Sequence, residues 1–197
     1  MIKVSEIEVF ILAGGKSRRM GSDKGLINFK GEPMISHILR VLDKLNMSTS
    51  IISGNKEYMK FGKPVHQDVF PDKGPLGGLY TALEFSSAPM VILLACDMPS
   101  INSESLKRLR ALATSGKMVV STDGENISPL FACYPQSLKK AVKKAILREE
   151  LKMLDFVLKQ SYTLLDLTVG GNTLVLQNLN TKKELIAAEN IEKDRVK

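Results

Sequence analysis

The stretch Val9–Lys24 reads VFILAGGKSRRMGSDK, and it leaves few folds open to the chain. Val9 to Leu12 are apolar and strand-like, and the chain then turns abruptly at Ala13, Gly14 and Gly15. A buried strand that runs into a glycine-rich loop presents backbone N–H groups at one edge of a sheet. With no Cβ in the way, a bulky anion can approach the main chain. Lys16, Arg18, Arg19 and Lys24 add positive charge around that spot. Physically this is a phosphate cradle, and a nucleoside triphosphate is its usual occupant. It is not a Walker A loop, because no Gly-Lys-Ser/Thr end occurs. Nor is it G-x-G-x-x-G, since the glycines fall at positions 14, 15 and 21.

Downstream, strand-like and helix-like segments alternate. Leu26–Phe29 reads as a short extended piece, and Gly31-Glu32-Pro33 as a turn with Pro33 suited to the first helical position. Ile35, Ile38, Leu42 and Leu45 recur at helical spacing. Ser50–Ser53 and Pro64–Gln67 read as extended, and Pro71–Gly78 as a loop because of its prolines and glycines. Leu79–Phe85 reads as a helix beginning at that loop. Met90–Cys96, MVILLAC, is the most apolar run and suits a central strand buried on both faces. A helix carrying Leu106, Leu109 and Leu112 follows, then strands over Met118–Ser121 and Leu130–Tyr134. Helical patterns cover Gln136–Leu147 and Glu149–Lys159. Tyr162–Leu165 and Thr173–Gln177 look extended, and Lys182–Glu189 makes a last helix.

Strands separated by helices predict right-handed βαβ units: an α/β, Rossmann-like, three-layer fold around a mostly parallel sheet. Ligands of such sheets bind at the carboxyl ends of the strands. Here those ends are LAGG, Ser53-Gly54-Asn55, Asp68 and Asp97. A cationic loop and two carboxylates therefore converge on one edge.

At 197 residues the chain suits one domain, with a nucleotide-binding half over about 1–100 and an acceptor-binding half over about 101–197. The hydrophobic content of 44% and charged content of 25% are those of a soluble globular protein. No apolar run is long enough for a membrane span, and the N-terminus is too short and too acidic for a signal peptide. Cys96 and Cys133 lie in apolar runs without metal-ligand spacing, which suggests reduced core thiols and a cytoplasmic location. The net charge of +7 does not point to nucleic acid. Its densest cluster, Lys139, Lys140, Lys143, Lys144 and Arg148, has the spacing of a solvated helix face. Positive charge also suits a site for small polyanions. His37 and His66 lack partners at catalytic or metal spacing and read as structural. No G-x-S-x-G, Cys/His pairing or H-E-x-x-H occurs.

Asp97, directly after the apolar run, stands at a rim where a metal ion can reach it. Mg²⁺ favours one or two carboxylates with phosphate oxygens and water. The Gly74–Gly78 run, GPLGG, can hold a base or ribose against its backbone.

The loop resembles the signature L-A-G-G-x-S-x-R-M-G-x-D-K of nucleotidyltransferases, in particular the molybdenum cofactor guanylyltransferases. Leu12, Ala13, Gly14, Gly15, Ser17, Arg19, Met20, Gly21, Asp23 and Lys24 match it. Asp97-Met98-Pro99 is similar to the family's D-x-P, GPLGG to its G-P-L-x-G loop, and Asn178-Leu179-Asn180-Thr181 to its N-x-N-T segment. The resemblance implies a fold of the nucleotide-diphospho-sugar transferase type. It implies transfer of GMP from GTP to the phosphate of a molybdopterin-type cofactor, with release of pyrophosphate. On it, Arg19, Lys24 and Asp97 are catalytic, and Asp97 binds Mg²⁺. Leu12, Ala13, Gly14, Gly15, Lys24, Ser53, Asp68, Gly77 and Asp97 contact GTP, while Asn178 and Asn180 face the acceptor. Other molybdenum cofactor enzymes are implied as partners. Ser53 stands where the family often has Asn, so one of its contacts is reduced to a single hydroxyl. Gly14, in place of the alanine of the cytidylyl relatives' L-A-A-G, favours guanine. Cytidylyl- or sugar-phosphate transfer, or nucleotide binding without catalysis, are the alternative readings.

Overall fold

The computed structural model describes residues 6–14, 23–113, 116–169, 173–181 and 183–188. Nine strands are found there: β1 (Ile7–Leu12), β2 (Asn28–Phe29), β3 (Glu32–Pro33), β4 (Thr49–Ile52), β5 (Val65–His66), β6 (Met90–Ala95), β7 (Met118–Thr122), β8 (Ile127–Pro135) and β9 (Tyr162–Asp166). The α-helices are α1 (Met34–Lys44), α2 (Gly74–Phe85), α3 (Ser103–Leu112), α4 (Lys139–Leu147), α5 (Met153–Leu158) and α6 (183–188).

Seven strands form one sheet in the order β5-β4-β1-β6-β8-β7-β9. β5, β4, β1 and β6 run parallel. β8 is antiparallel to both β6 and β7, and β7 is parallel to β9. β8 is thus the one reversed strand, and the sheet is mostly parallel as expected. The carboxyl ends of β1, β4, β5 and β6 lie side by side on one edge.

Alternation along the central strands feeds two cores. Ile7, Val9 and Ile11 of β1 and Met90, Ile92 and Leu94 of β6 pack with Ile35, Ile38 and Leu42 of α1 and Leu106 and Leu109 of α3. Phe10, Val91 and Leu93 face the other side, against Leu79 and Leu83 of α2, Val142 and Ile146 of α4, and Phe156 of α5. Each fully buried side chain of this size contributes about 1.5–3 kcal/mol. The result is a three-layer α/β/α arrangement in which helices, not loops, hold the sheet rigid behind the ligand edge.

The structure corrects several boundaries. The Pro71–Gly78 stretch is not all loop, since α2 already begins at Gly74. Pro75 sits in its first turn, where the missing N–H costs nothing. Gly77 lies inside the helix for a packing reason: an added Cβ would sit 2.9 Å from the Phe70 carbonyl oxygen. Gly77→Ala is therefore expected to cost about 1–3 kcal/mol of stability, as overpacking does. Denaturant melts against wild type measure it.

Lys24–Leu26 is a 3₁₀ turn, so the extended piece there is only β2. β2 and β3 form a hairpin through Lys30 and Gly31, both at positive φ, as a two-residue turn of this hand requires. Pro33 pairs in β3 and precedes α1 instead of opening it. The Glu149–Lys159 pattern shrinks to α5, because Glu149 takes a left-handed φ of 58° and ends α4. Thr173–Leu176 is a 3₁₀ turn and not a strand. Its Val175 is buried in the face with α1 and α3. Cys96 and Cys133 are buried free thiols, and burial pushes both well up from their ordinary range. His37 bonds the Phe29 carbonyl at 2.9 Å, and His66 stacks on Phe85 at 4.3 Å between ring centres.

Candidate active site

A cleft of 680 Å³ opens at the carboxyl edge of the sheet. Leu12 and Gly14 at the end of β1, Ile52 to Gly54 at the end of β4, Asp68 after β5, and Ala95 to Asp97 at the end of β6 all line it. Gly74, Pro75 and Gly78 of α2 form a second wall, and Asp23, Lys24, Asp72, Leu130 of β8 and Asn178 also line the cleft. The N-terminus of α2 has no side-chain cap. Pro75 has no N–H and Gly77 N is bonded to the Lys73 carbonyl, so what this end offers an electron-rich ligand is chiefly the positive end of the helix dipole.

Lys24 and Asp97 meet in this cleft. Lys24 Nζ donates to Asp97 Oδ2 at 3.0 Å and also to Asn180 Oδ1. Asp97 is 8% exposed, and its Oδ1 is buried without a hydrogen-bond partner among the described residues. An orphaned buried carboxylate oxygen is costly unless something satisfies it. A divalent cation reaching in from the cleft would do so, and a carboxylate oxygen is the donor that Mg²⁺ prefers. The site therefore fits the ion expected from the sequence.

Asp68 lies on the cleft wall, where desolvation raises its carboxyl above the usual range while Thr81 partly offsets this. Thr81 Oγ1 accepts from Val69 N at 3.0 Å and lies 3.3 Å from Asp68 Oδ1 and 3.0 Å from the Gly77 carbonyl. One buried hydroxyl thus ties the Asp68 loop to the first turns of α2. Ser53 is 3% exposed, and its Oγ accepts from Asn55 N at 3.1 Å. Among the described residues a Cβ on Gly14 would meet only Ser53, at 3.8 Å or more, and Gly14 itself lines the cleft.

The C-terminal segment returns to the site. Leu179 N donates to the Asp97 carbonyl at 2.9 Å. Thr181 and Glu184 form a capping box: Glu184 N donates to Thr181 Oγ1 at 3.2 Å and Thr181 N to Glu184 Oε2 at 3.0 Å. Leu179, Leu185 and Ala188 pack on Phe29 and Met34. Asn180 is thereby held over Lys24, while Asn178 lines the cleft.

Ala13 is fully buried behind the cleft, next to the lining residues Leu12 and Gly14. Gly77 is absent from the lining, and its neighbours are Phe70 and Lys73. Gly15 and Arg19 lie outside the described residues. Sequence reasoning overlooked Thr81 and Tyr58, and placed Asn55 at the end of a strand without a role. Nothing in their spacing marks them, because each acts on a residue distant in sequence.

An α/β sheet with Lys24, Asp68 and Asp97 gathered at its carboxyl edge suits a nucleotide-binding enzyme, and similarity to known proteins narrows the class. The MobA-like NTP transferase domain matches residues 9–162. A protein of Flavobacterium johnsoniae named as a probable molybdenum cofactor guanylyltransferase is 36% identical over 91% of this chain and 94% of its own. The molybdenum cofactor guanylyltransferase of Serratia proteamaculans is 30% identical over 92% of this chain and 93% of its own. The crystal structure of molybdopterin-guanine dinucleotide biosynthesis protein A from Archaeoglobus fulgidus superposes with a TM-score of 0.78. It is 22% identical and covers 95% of this chain and 99% of its own. The chain belongs to the molybdenum cofactor guanylyltransferase family.

Proposed function

We propose that the protein transfers the guanylyl group of GTP to the terminal phosphate of a molybdopterin-type cofactor and releases pyrophosphate. The observation that carries the reading is the meeting of Lys24 and Asp97 in the cleft, with one Asp97 oxygen unsatisfied among the described residues. An acceptor phosphate oxygen forms a bond to the α-phosphorus, and the bond to the β-phosphate oxygen breaks. Little covalent chemistry is left to the protein, so positioning and charge neutralisation dominate.

In this reading Lys24 and Arg19 hold the departing β- and γ-phosphates, with backbone N–H groups around Gly14 and Gly15. Asp68 and the α2 N-terminus face ribose and guanine. Asn178 and Asn180 lie toward the acceptor, and Asn180 also orients Lys24. Asp97 would hold Mg²⁺, which supplies neutralisation of charge on the phosphate oxygens when bound. Among the described residues no cluster of three or more His, Cys, Asp or Glu could hold a metal by itself. The ion would therefore take most of its further ligands from the nucleotide and water, so that it binds far more tightly with GTP than alone. Among the described residues no helix is long and apolar enough to cross a membrane. A cytoplasmic location, and partnership with other molybdenum cofactor enzymes, complete the reading.

The test is calorimetry with GTP, CTP, ATP and UTP in Mg²⁺, together with labelled pyrophosphate exchange. GTP is expected to bind tightest, and exchange to require Mg²⁺. A preference for CTP would replace guanylyl by cytidylyl transfer on the same fold. Binding without exchange or acceptor-dependent transfer would leave a nucleotide-binding module.

A further inference from the structure

Lys24 has a long, flexible side chain, and its ammonium can stay over the cleft only if its backbone is fixed. The segment after β4 provides the grip. Asp23, immediately before Lys24, has both carboxylate oxygens engaged. The Tyr58 hydroxyl donates to Oδ1, and Asn55 Nδ2 donates to Oδ2 at 3.3 Å. Immediately after Lys24, Gly25 closes on the same phenol: an added Cβ would lie 2.5 Å from the Tyr58 hydroxyl and 3.1 Å from Cys96 Cβ. Asn55 is itself fixed, because its side chain caps the 3₁₀ turn Lys56–Phe61 by accepting from Glu57 N at 3.0 Å. Tyr58 is fully buried and does not line the cleft. Burial holds its phenol protonated, so it remains a donor.

We propose that Tyr58 is a positioning residue for Lys24. Its hydroxyl anchors Asp23 and packs on Gly25, which sets the backbone from which the Lys24 ammonium reaches Asp97 and Asn180. A phenol bonded to a carboxylate is a strong, charge-assisted contact. Here that contact stands on both chain neighbours of a single cation. The inference rests on the proposed role of Lys24 toward the distal phosphates.

The experiment compares GTP and GMP binding by calorimetry in wild type, Tyr58→Phe, Lys24→Ala and the double variant, with thermal melts alongside. Tyr58→Phe keeps the ring and is expected to melt cooperatively. Its GTP affinity should fall about five- to tenfold and its GMP affinity less than about twofold, the loss of one charge-assisted bond being felt through Lys24. The double variant should bind GTP no worse than Lys24→Ala alone. Equal losses for GTP and GMP, wild-type GTP affinity, or additive losses in the double variant would each overturn the proposal. Should Tyr58→Phe not fold, Asn55→Ala takes its place, because Asn55 holds the other Asp23 oxygen from outside the cleft, with the same GTP-selective loss expected and the same outcomes decisive. If Lys24→Ala itself loses GTP and GMP equally, the assignment of Lys24 fails first and this inference falls with it.

Discussion

Asp97→Asn is expected to lower guanylyl transfer by on the order of a hundredfold or more while GTP still binds. Asparagine keeps the shape of the side chain, and the backbone carbonyl that receives Leu179 N is unchanged. The residue follows β6 and stands outside the apolar run Met90–Ala95, so the sheet should form as before. What disappears is the negative charge that Lys24 faces at 3.0 Å and that a cation would need at the orphaned Oδ1. Metal neutralisation of transition-state charge supplies several kcal/mol, and each ~1.4 kcal/mol is tenfold in rate. GTP binding is expected to fall less, because the proposed nucleotide contacts at the α2 N-terminus, Lys24 and the glycine loop are left in place. Transfer assays in Mg²⁺ beside GTP calorimetry separate the two effects. Transfer near the wild-type rate in a folded Asp97→Asn protein would remove the metal from Asp97. A broadened, non-cooperative melt would instead show that Asp97 is structural.

Much of the architecture was readable because burial leaves a periodic imprint. MVILLAC reads as a strand covered on both faces, and Met90–Ala95 is a strand buried throughout. Ile35, Ile38 and Leu42 lay at helical spacing, and all three are buried on α1. Strand direction leaves no such imprint. The reversal of β8 between β6 and β7 follows from chain connectivity, which the apolar pattern of Leu130–Tyr134 does not encode. The start of α2 was hidden because Gly77 and Gly78 look like loop residues. They are glycines because Phe70 and Leu12 come too close for a side chain.

The site divides in the same way. Lys24, Asp68 and Asp97 stand at strand ends or in the loop, where topology alone brings them together. Asn180 and Tyr58 reach Lys24 and its neighbour Asp23 from distant positions. Such contacts depend on how the C-terminal segment and a 3₁₀ turn pack, and no local sequence rule specifies that.

Lys24→Ala is expected to separate the two charges of the site. Lys24 is the counter-ion of Asp97, with side-chain exposures of 29% and 11%. Removing one partner of a buried pair costs about 3–5 kcal/mol. The open face of Lys24 lets water screen Asp97, so the stability loss should be nearer about 1–2 kcal/mol. The released carboxylate then attracts a cation more strongly, so Mg²⁺ or Mn²⁺ alone should bind the variant tighter than wild type. Nucleotide affinity should move the other way, and selectively. A hydrogen bond to a charged group contributes about 1.5–3 kcal/mol, so GTP affinity should drop about tenfold or more. GMP lacks the β- and γ-phosphates and should lose less than about threefold. Calorimetric titrations of the apo variant with MgCl₂, GMP and GTP test all three statements. Equal losses for the two nucleotides would place Lys24 away from the distal phosphates. Unchanged Mg²⁺ affinity would mean that Lys24 does not compete with the ion for Asp97.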